Sequence, residues 1–398
     1  MALSNHSNNL SALGEIEQAE KYIREAIDNV VKLSATRADK RPLLTALMAN
    51  LANYLSIQAK NKSAFRVGAR GLRILQELDG EQPDVYRARL AVCLGNVSAM
   101  LNALGRHRFA LRLAARALEI DKALAELRPT TFLPRVTLSL AGLADRYVGL
   151  GMYAEALPYA LEALKVQREL SEEHRLASGS QLAHRLLLVA GILSGLGEYG
   201  EALENALEAL EVNYALRREY PQKHRADIVS AANQVAWLHL RLGRLSEAKH
   251  VLGAIEDIVR ELKAEGKVNS LERFQYLMVS SEICQQERSL QSGLELVVEA
   301  CEIVGKSLRY TPQVYREEAA TAWALRAVCH EALGEAIHAD EAVRQGLGFL
   351  DADLRSTPRV LSPAIQQIAE NLIRLAGDLA IPLDYPAVLR ALGMGNKA

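Results

Sequence analysis

The stretch VTLSLAGLADRYVGLGMYAEALPYALEAL, from Val136 to Leu164, decides the fold. Leu138, Leu140, Leu143, Ala144, Tyr147 and Leu150 recur at spacings of two, three or four, which is one face of a helix. Gly151 interrupts the pattern, and Tyr153, Ala156, Leu157, Ala160, Leu161, Ala163 and Leu164 begin a second helical stripe. So short a hinge makes the two helices antiparallel. A lone hairpin of this kind cannot bury both of its faces, so the chain must supply neighbours.

It does so periodically. A hinge followed five residues later by a small residue recurs at Gly14/Ala19, Gly105/Ala110, Gly151/Ala156, Gly197/Ala202, Gly243/Ala248 and Gly334/Ala339, with Ala59/Ala64 and Arg288/Gly293 as degenerate members. The hinges therefore stand at 14, 59, 105, 151, 197, 243, 288 and 334, always 45 or 46 residues apart. Columns that did not define this register agree with it. Seven residues before each hinge stand Ser7, Ala52, Ser98, Ala144, Ala190, Ala236, Ser281 and Ala327, and twelve after it the residue is Ala or Gly except at Ile255. Twenty-four after it stand Pro83, Pro129, Pro221, Pro312 and Pro358, which are expected to end each second helix and open the link to the next unit.

These columns resemble the tetratricopeptide repeat (TPR) over about residues 3 to 350. Trp323 falls at the family's tryptophan column, Tyr147 at its helix A tyrosine, and Tyr153 and Tyr199 at its hinge aromatic. The usual unit is about 34 residues; the extra length here predicts longer helices together with a longer link. Units of this size resemble the arrays of kinesin light chains and the bacterial arrays attached to signalling NTPase or caspase-like protease domains. The resemblance implies an all-α, right-handed solenoid of about eight hairpins spanning residues 1–354, with helix A inside. Residues 355–398 would add a half-repeat, its helix at 363 to 379, and a capping helix to the same domain. The first unit starts directly in helix A, without a polar cap. Either a longer protein or another surface covers it, or the first repeat is simply ragged.

Composition narrows the functions. Lys plus Arg total 47 against 48 Asp plus Glu, a net charge of −1 without a basic stripe, so no nucleic-acid partner is indicated. No apolar run approaches the ~18 residues of a membrane span, and no leader pattern opens the chain, so a cytoplasmic location is expected. Nucleotide-binding glycine loops, nucleophile elbows and zinc-binding spacings are missing, and the reading is non-enzymatic with no cofactor and no metal. His330 and His338 flank Glu331, but the Gly334 hinge places them on different helices. Cys93, Cys284, Cys301 and Cys329 read as buried, reduced packing residues, with Cys284 and Cys301 able to meet across one hairpin.

What remains is binding of a protein or peptide partner in the groove lined by helix A. The candidates are Asn8, Asn53 and Asn102, whose amides can donate and accept against a backbone, with Asp145 and His184 further along. Trp237, Arg241, Gln275, Met278, Glu282 and Gln285 follow in the sixth and seventh units. Asn50 and Asn96 map nearer the seams. Trp237 reads equally as a binding hot spot and as seam packing beside Ala236. Gly142, Gly149, Gly191 and Gly195 inside helix A admit either a close ligand or tight repeat packing. The link Lys263–Ser270 lacks the proline and reads as the loosest joint. Two functions follow: a scaffold that holds a partner peptide or helix, or a sensor and regulatory arm of a larger signalling machine.

Overall fold

At five of the periodic hinges the glycine takes the left-handed conformation, with φ of 69° at Gly105, 70° at Gly151, 86° at Gly197, 71° at Gly243 and 76° at Gly334. Arg288, the degenerate member, is forced into the same region at φ 62°. The residue after the hinge then donates its N–H to the carbonyl five positions before it: Arg106 to Leu101 (2.9 Å), Arg244 to His239 (2.8 Å), Ser289 to Cys284 (2.8 Å) and Glu335 to His330 (2.9 Å). This six-residue closure satisfies carbonyls that the end of a helix would otherwise leave open.

The computed structural model describes residues 2–12, 15–34, 38–58, 60–173, 175–265, 270–308, 312–356 and 361–394. The expected hinges at Gly14 and Ala59, residues 266–269 of the expected loose joint, and Pro358 lie outside them. Among the described residues every regular element is helical: α1 (Ala2–Ala12), α2 (Ile16–Ser34), α3 (Arg41–Ile57), α4 (Asn61–Glu81), α5 (Pro83–Ala103), α6 (His107–Leu127), α7 (Pro129–Val148), α8 (Tyr153–Glu173), α9 (Arg175–Leu196), α10 (Tyr199–Glu219), α11 (Arg225–Arg241), α12 (Leu245–Ala264), α13 (Ser270–Gln286), α14 (Leu290–Leu308), α15 (Pro312–Ala332), α16 (Ala336–Ser356), α17 (Pro363–Asp378) and α18 (Pro386–Ala391), with a 3-10 turn at Ala38–Lys40. The chain divides into two compact units, Met1–Gly149 and Leu150–Ala398. In the first, hairpins α1–α2, α3–α4 and α5–α6 stack in order, and α7 packs on α6. In the second, α8 packs on α9, the hairpins α9–α10, α11–α12, α13–α14 and α15–α16 follow, and α17 and α18 pack on the last of them.

At two junctions the extra residues of the long repeat go into helix rather than into the link, whereas five residues still separate α10 from α11. Between α4 and α5 there is one residue, Gln82, and between α6 and α7 one residue, Arg128. Pro83 and Pro129 therefore open the next helix instead of closing the previous one. The first helical position has no N–H obligation, which suits proline. Proline also drives the residue before it out of the helical region, so Gln82 (φ −143°, ψ 76°) and Arg128 (φ −144°, ψ 78°) make the same sharp corner.

The small column before each hinge is where the helices meet. All eight of its members are at most 1% exposed. Its serines also bond across the hairpin: Ser7 donates to the Ala19 carbonyl (2.8 Å), Ser98 to Ala110 (2.8 Å) and Ser281 to Gly293 (2.7 Å). A serine thus satisfies its hydroxyl where the other five units carry alanine, without altering the close approach.

A second tie closes the end of the hairpin opposite the hinge. Arg41 pairs with Glu77 (2.7 Å) and Glu81 (2.9 Å), and Arg225 with Glu261 (3.3 Å) and Glu265 (2.8 Å); Arg316 donates to the Ala352 carbonyl (3.1 Å) and to Ser356 (3.2 Å). All three arginines stand eighteen residues before their hinges and reach 36 and 40 residues onward. The column was present in the sequence, but charged residues on a polar face carry no packing pattern that would single it out.

Candidate partner-binding cavity

In the second unit, α9, α11, α13, α15 and α17 present one side chain row each to a common cavity of about 450 Å³. The row closes on itself. α17 returns to the C-terminal end of α9, where a Cβ built on Gly197 would lie 3.4 Å from Cγ of Pro363. The regular spacing of Pro358 and Pro363 marks where a helix begins, but no residue in it announces that it packs against a helix some 170 positions earlier.

Trp237 and Arg241, one turn apart on α11, define the wall. The Trp237 ring is half-buried, meets the Tyr199 ring edge-on (centroids 5.9 Å apart, 81°), and lies under the Arg241 guanidinium at 5.4 Å. Arg241 also pairs with Glu282 on α13, and burial pushes its pKa below the ordinary value. The Trp237 ring thus packs against Tyr199 and also lines the cavity. Gln285 spends its amide N–H groups on the Leu325 carbonyl (3.2 Å) and Cys329 Sγ (2.9 Å). From α17, Gln367 donates to Asn371 (3.3 Å), and both line the same space. Met278 also lines it, whereas Gln275, on the same face of α13, is exposed beyond its rim. The exposed His184 of α9 donates Nδ1 to the Ser180 carbonyl (2.6 Å) and does not line the cavity either.

The remaining candidates belong to the first unit. Asn8 accepts from Asn50 Nδ2 and from the Tyr54 hydroxyl, both at 3.0 Å, and so ties α1 to α3. Asn53 and Asp145 are exposed. Asn102 Oδ1 lies 2.7 Å from His107 Nδ1 across its hairpin. A Cβ on Gly149 would come within 2.9 Å of both atoms, so this glycine serves packing. Gly195 does too, under the ring of Tyr153, whereas Gly142 and Gly191 open onto cavities.

The thiols are chemically quiet. Cys93, Cys301 and Cys329 are buried, Cys284 is half-buried, and all four are unbridged. Burial raises the pKa of each, to about 11 for Cys93 and about 12 for Cys301. The hinge at Gly334 stacks His330 on His338 (5.2 Å between centroids), and Glu335, rather than Glu331, joins them within 4.8 Å as a possible three-ligand metal set. Arg326 donates to His330 Nε2 (3.2 Å), which leaves the ring proton on Nδ1, donated to Glu335 at 2.6 Å. The nitrogen facing the carboxylate is thus a donor, and the trio is arranged as a hinge clasp. Among the described residues no helix is long and apolar enough to cross a membrane.

No family model matches the sequence, and no curated relative does. Solved structures do match. The apo form of the quorum sensor NprR from B. thuringiensis is 14% identical, with a TM-score of 0.60, over 88% of this chain and 86% of that one. The Rap conjugation gene regulator of plasmid pLS20 in complex with the Phr* peptide is 10% identical, with a TM-score of 0.57, over 90% and 96%. A Rap protein complexed with Competence and Sporulation Factor is 16% identical, with a TM-score of 0.53, over 89% and 98%. With its periodic hinges, buried small columns and stacked antiparallel hairpins, the chain has the fold of a TPR-like helical-repeat protein.

Proposed function

We propose that the chain is a non-catalytic scaffold that holds an extended peptide segment of a protein partner in the cavity of its second unit. One observation carries this reading: five helices bring a half-buried tryptophan, a cation stacked on it, a carboxylate and several amides into one space. A tryptophan with a flanking arginine is the composition of a binding hot spot, and amides match a peptide backbone in both donor and acceptor. The structural neighbours solved with Phr* and with Competence and Sporulation Factor add precedent for a peptide ligand on this fold.

The test places a photoreactive residue at position 237, crosslinks in the source cell and identifies the captured segment by mass spectrometry. Its affinity is then measured for Trp237→Ala and for the Glu204→Ala/Glu208→Ala double variant, with helical content checked in both. Truncating a hot-spot tryptophan costs about 2 kcal/mol or more, roughly thirtyfold in affinity. The two glutamates stand on α10, outside the row that lines the cavity, and their loss should cost almost nothing near physiological salt. Equal losses, or a loss only in the glutamate variant, would overturn the reading.

A further inference from the structure

The first unit contains a cavity of its own, about 270 Å³, at the junction of α5, α6 and α7. Its charged groups other than Arg146 form a satisfied network. Asp121, buried on α6, accepts from Arg135 (Nε 3.0 Å, Nη2 2.7 Å) and from the Ser139 hydroxyl (2.6 Å), so these three groups neutralise and saturate one another. Arg146, two turns beyond Ser139 on α7, is the exception. It is only 9% exposed, its Nε donates to the Gly142 carbonyl at 3.0 Å, and it forms no ion pair among the described residues. Arg146 lines the cavity, and among the described residues its Nη groups have no hydrogen-bond partner. Burial pulls the Arg146 pKa down from its ordinary value, against the opposing pull of the neighbouring Asp145 carboxylate.

Gly95 on α5 and Gly142 on α7 both line this cavity, and a Cβ built on either would meet nothing within 4 Å. Glycine inside a helix is unfavourable relative to alanine, and here no neighbouring atom requires it. Two vacant Cβ positions thus lie beside a buried guanidinium that has no ion pair among the described residues. Val92 and Leu138, both exposed, flank its mouth.

We propose that this cavity is a carboxylate site: the Arg146 guanidinium takes the carboxylate head, and Val92 and Leu138 cover a short apolar stem. A planar fork of N–H donors matches a carboxylate. A single guanidinium without an ion pair, beside the mutually neutralised Asp121 and Arg135, suits a monoanion better than a phosphate dianion. The carboxylate can come from a peptide C-terminus, an acidic side chain or a free short-chain acid, and the site lies wholly in the first unit, apart from the Trp237 cavity.

The test measures calorimetric binding of four probes to the full chain at millimolar concentration. They are N-acetyl-Gly-Gly-Val-Leu with a free C-terminus, its C-terminal amide, the amide of N-acetyl-Gly-Glu-Val-Leu, and pentanoate. At least one carboxylate probe should bind while the neutral amide does not, and the one that binds identifies the source. Arg146→Gln should weaken that binding by about tenfold or more, the loss of a charge-assisted hydrogen bond. Gly142→Ala, which adds a methyl to open space, should keep or raise Tm while weakening the same binding, so a folded variant reports even where the arginine variant fails. Absence of binding by every carboxylate probe, equal binding of the amide, or undiminished binding in Gly142→Ala would overturn the assignment.

Discussion

The ring of Tyr153 occupies the place of a missing side chain: a Cβ built on Gly195 would fall 2.3 Å from its Cδ1 and Cε1 atoms. The hinge aromatic that opens α8 is seated on the glycine near the end of α9. The two residues stand 42 positions apart, and their contact is part of the packing of α8 on α9.

Gly195→Ala should therefore push the ring off its seat and cost about 1–3 kcal/mol through overpacking. Gly191→Ala, four residues earlier, meets only Gln234 Nε2 at 3.8 Å and should gain up to about 1 kcal/mol of helix propensity. Urea denaturation of both variants checks the pair, and the reverse ranking would show that the ring does not rest on Gly195.

Arg288 sits at φ 62° where the other described hinges have glycine. A left-handed conformation costs a residue with a Cβ about 1 kcal/mol, so Arg288→Gly should raise stability by that amount. The same experiment run in reverse, Gly243→Ala, should lose a similar amount. Unchanged denaturation midpoints in both variants would refute the strain.

On α16, the buried Asp351 accepts the N–H groups of Ala387 (2.7 Å) and Val388 (3.2 Å) and so caps the short α18 from another helix. Asp351→Ala leaves both donors without that partner and should cost about 1–2 kcal/mol. Hydrogen exchange should rise first across Pro386–Ala391. Uniform acceleration along the whole chain would contradict a local cap.

His239 is buried on α11 with Nδ1 unpaired among the described residues, and burial lowers its pKa from the ordinary 6.5. As pH falls below 6.5 the unfolded chain takes up a proton that the folded chain still refuses, so stability is full above that value and declines below it. His239→Gln should flatten this part of the stability profile. An identical slope in wild type and variant would assign the effect to other groups.

The architecture was legible because a repeat writes the same physics many times. A hinge needs φ above zero, a helix crossing needs a small residue, and both demands recur every 45 or 46 residues, from Ser7 to Ala327. Even the mistaken reading of Pro83 and Pro129 had a local cause. Proline marks a boundary, and its tolerance at the first helical position, not the boundary itself, decides which helix it belongs to.

The sequence by itself also put Trp237, Arg241 and Glu282 on one face of the repeat, since register alone sets which side a helix presents. It could not set what that face encloses. The return of α17 to Gly197, the seat of Tyr153 on Gly195, and the burial of Arg146 in the cavity that Asp121 also lines depend on small rotations between packed helices. Those rotations accumulate from many side-chain contacts at once, and no periodic column records their sum. Only the tertiary structure decides which distant residues share a cavity.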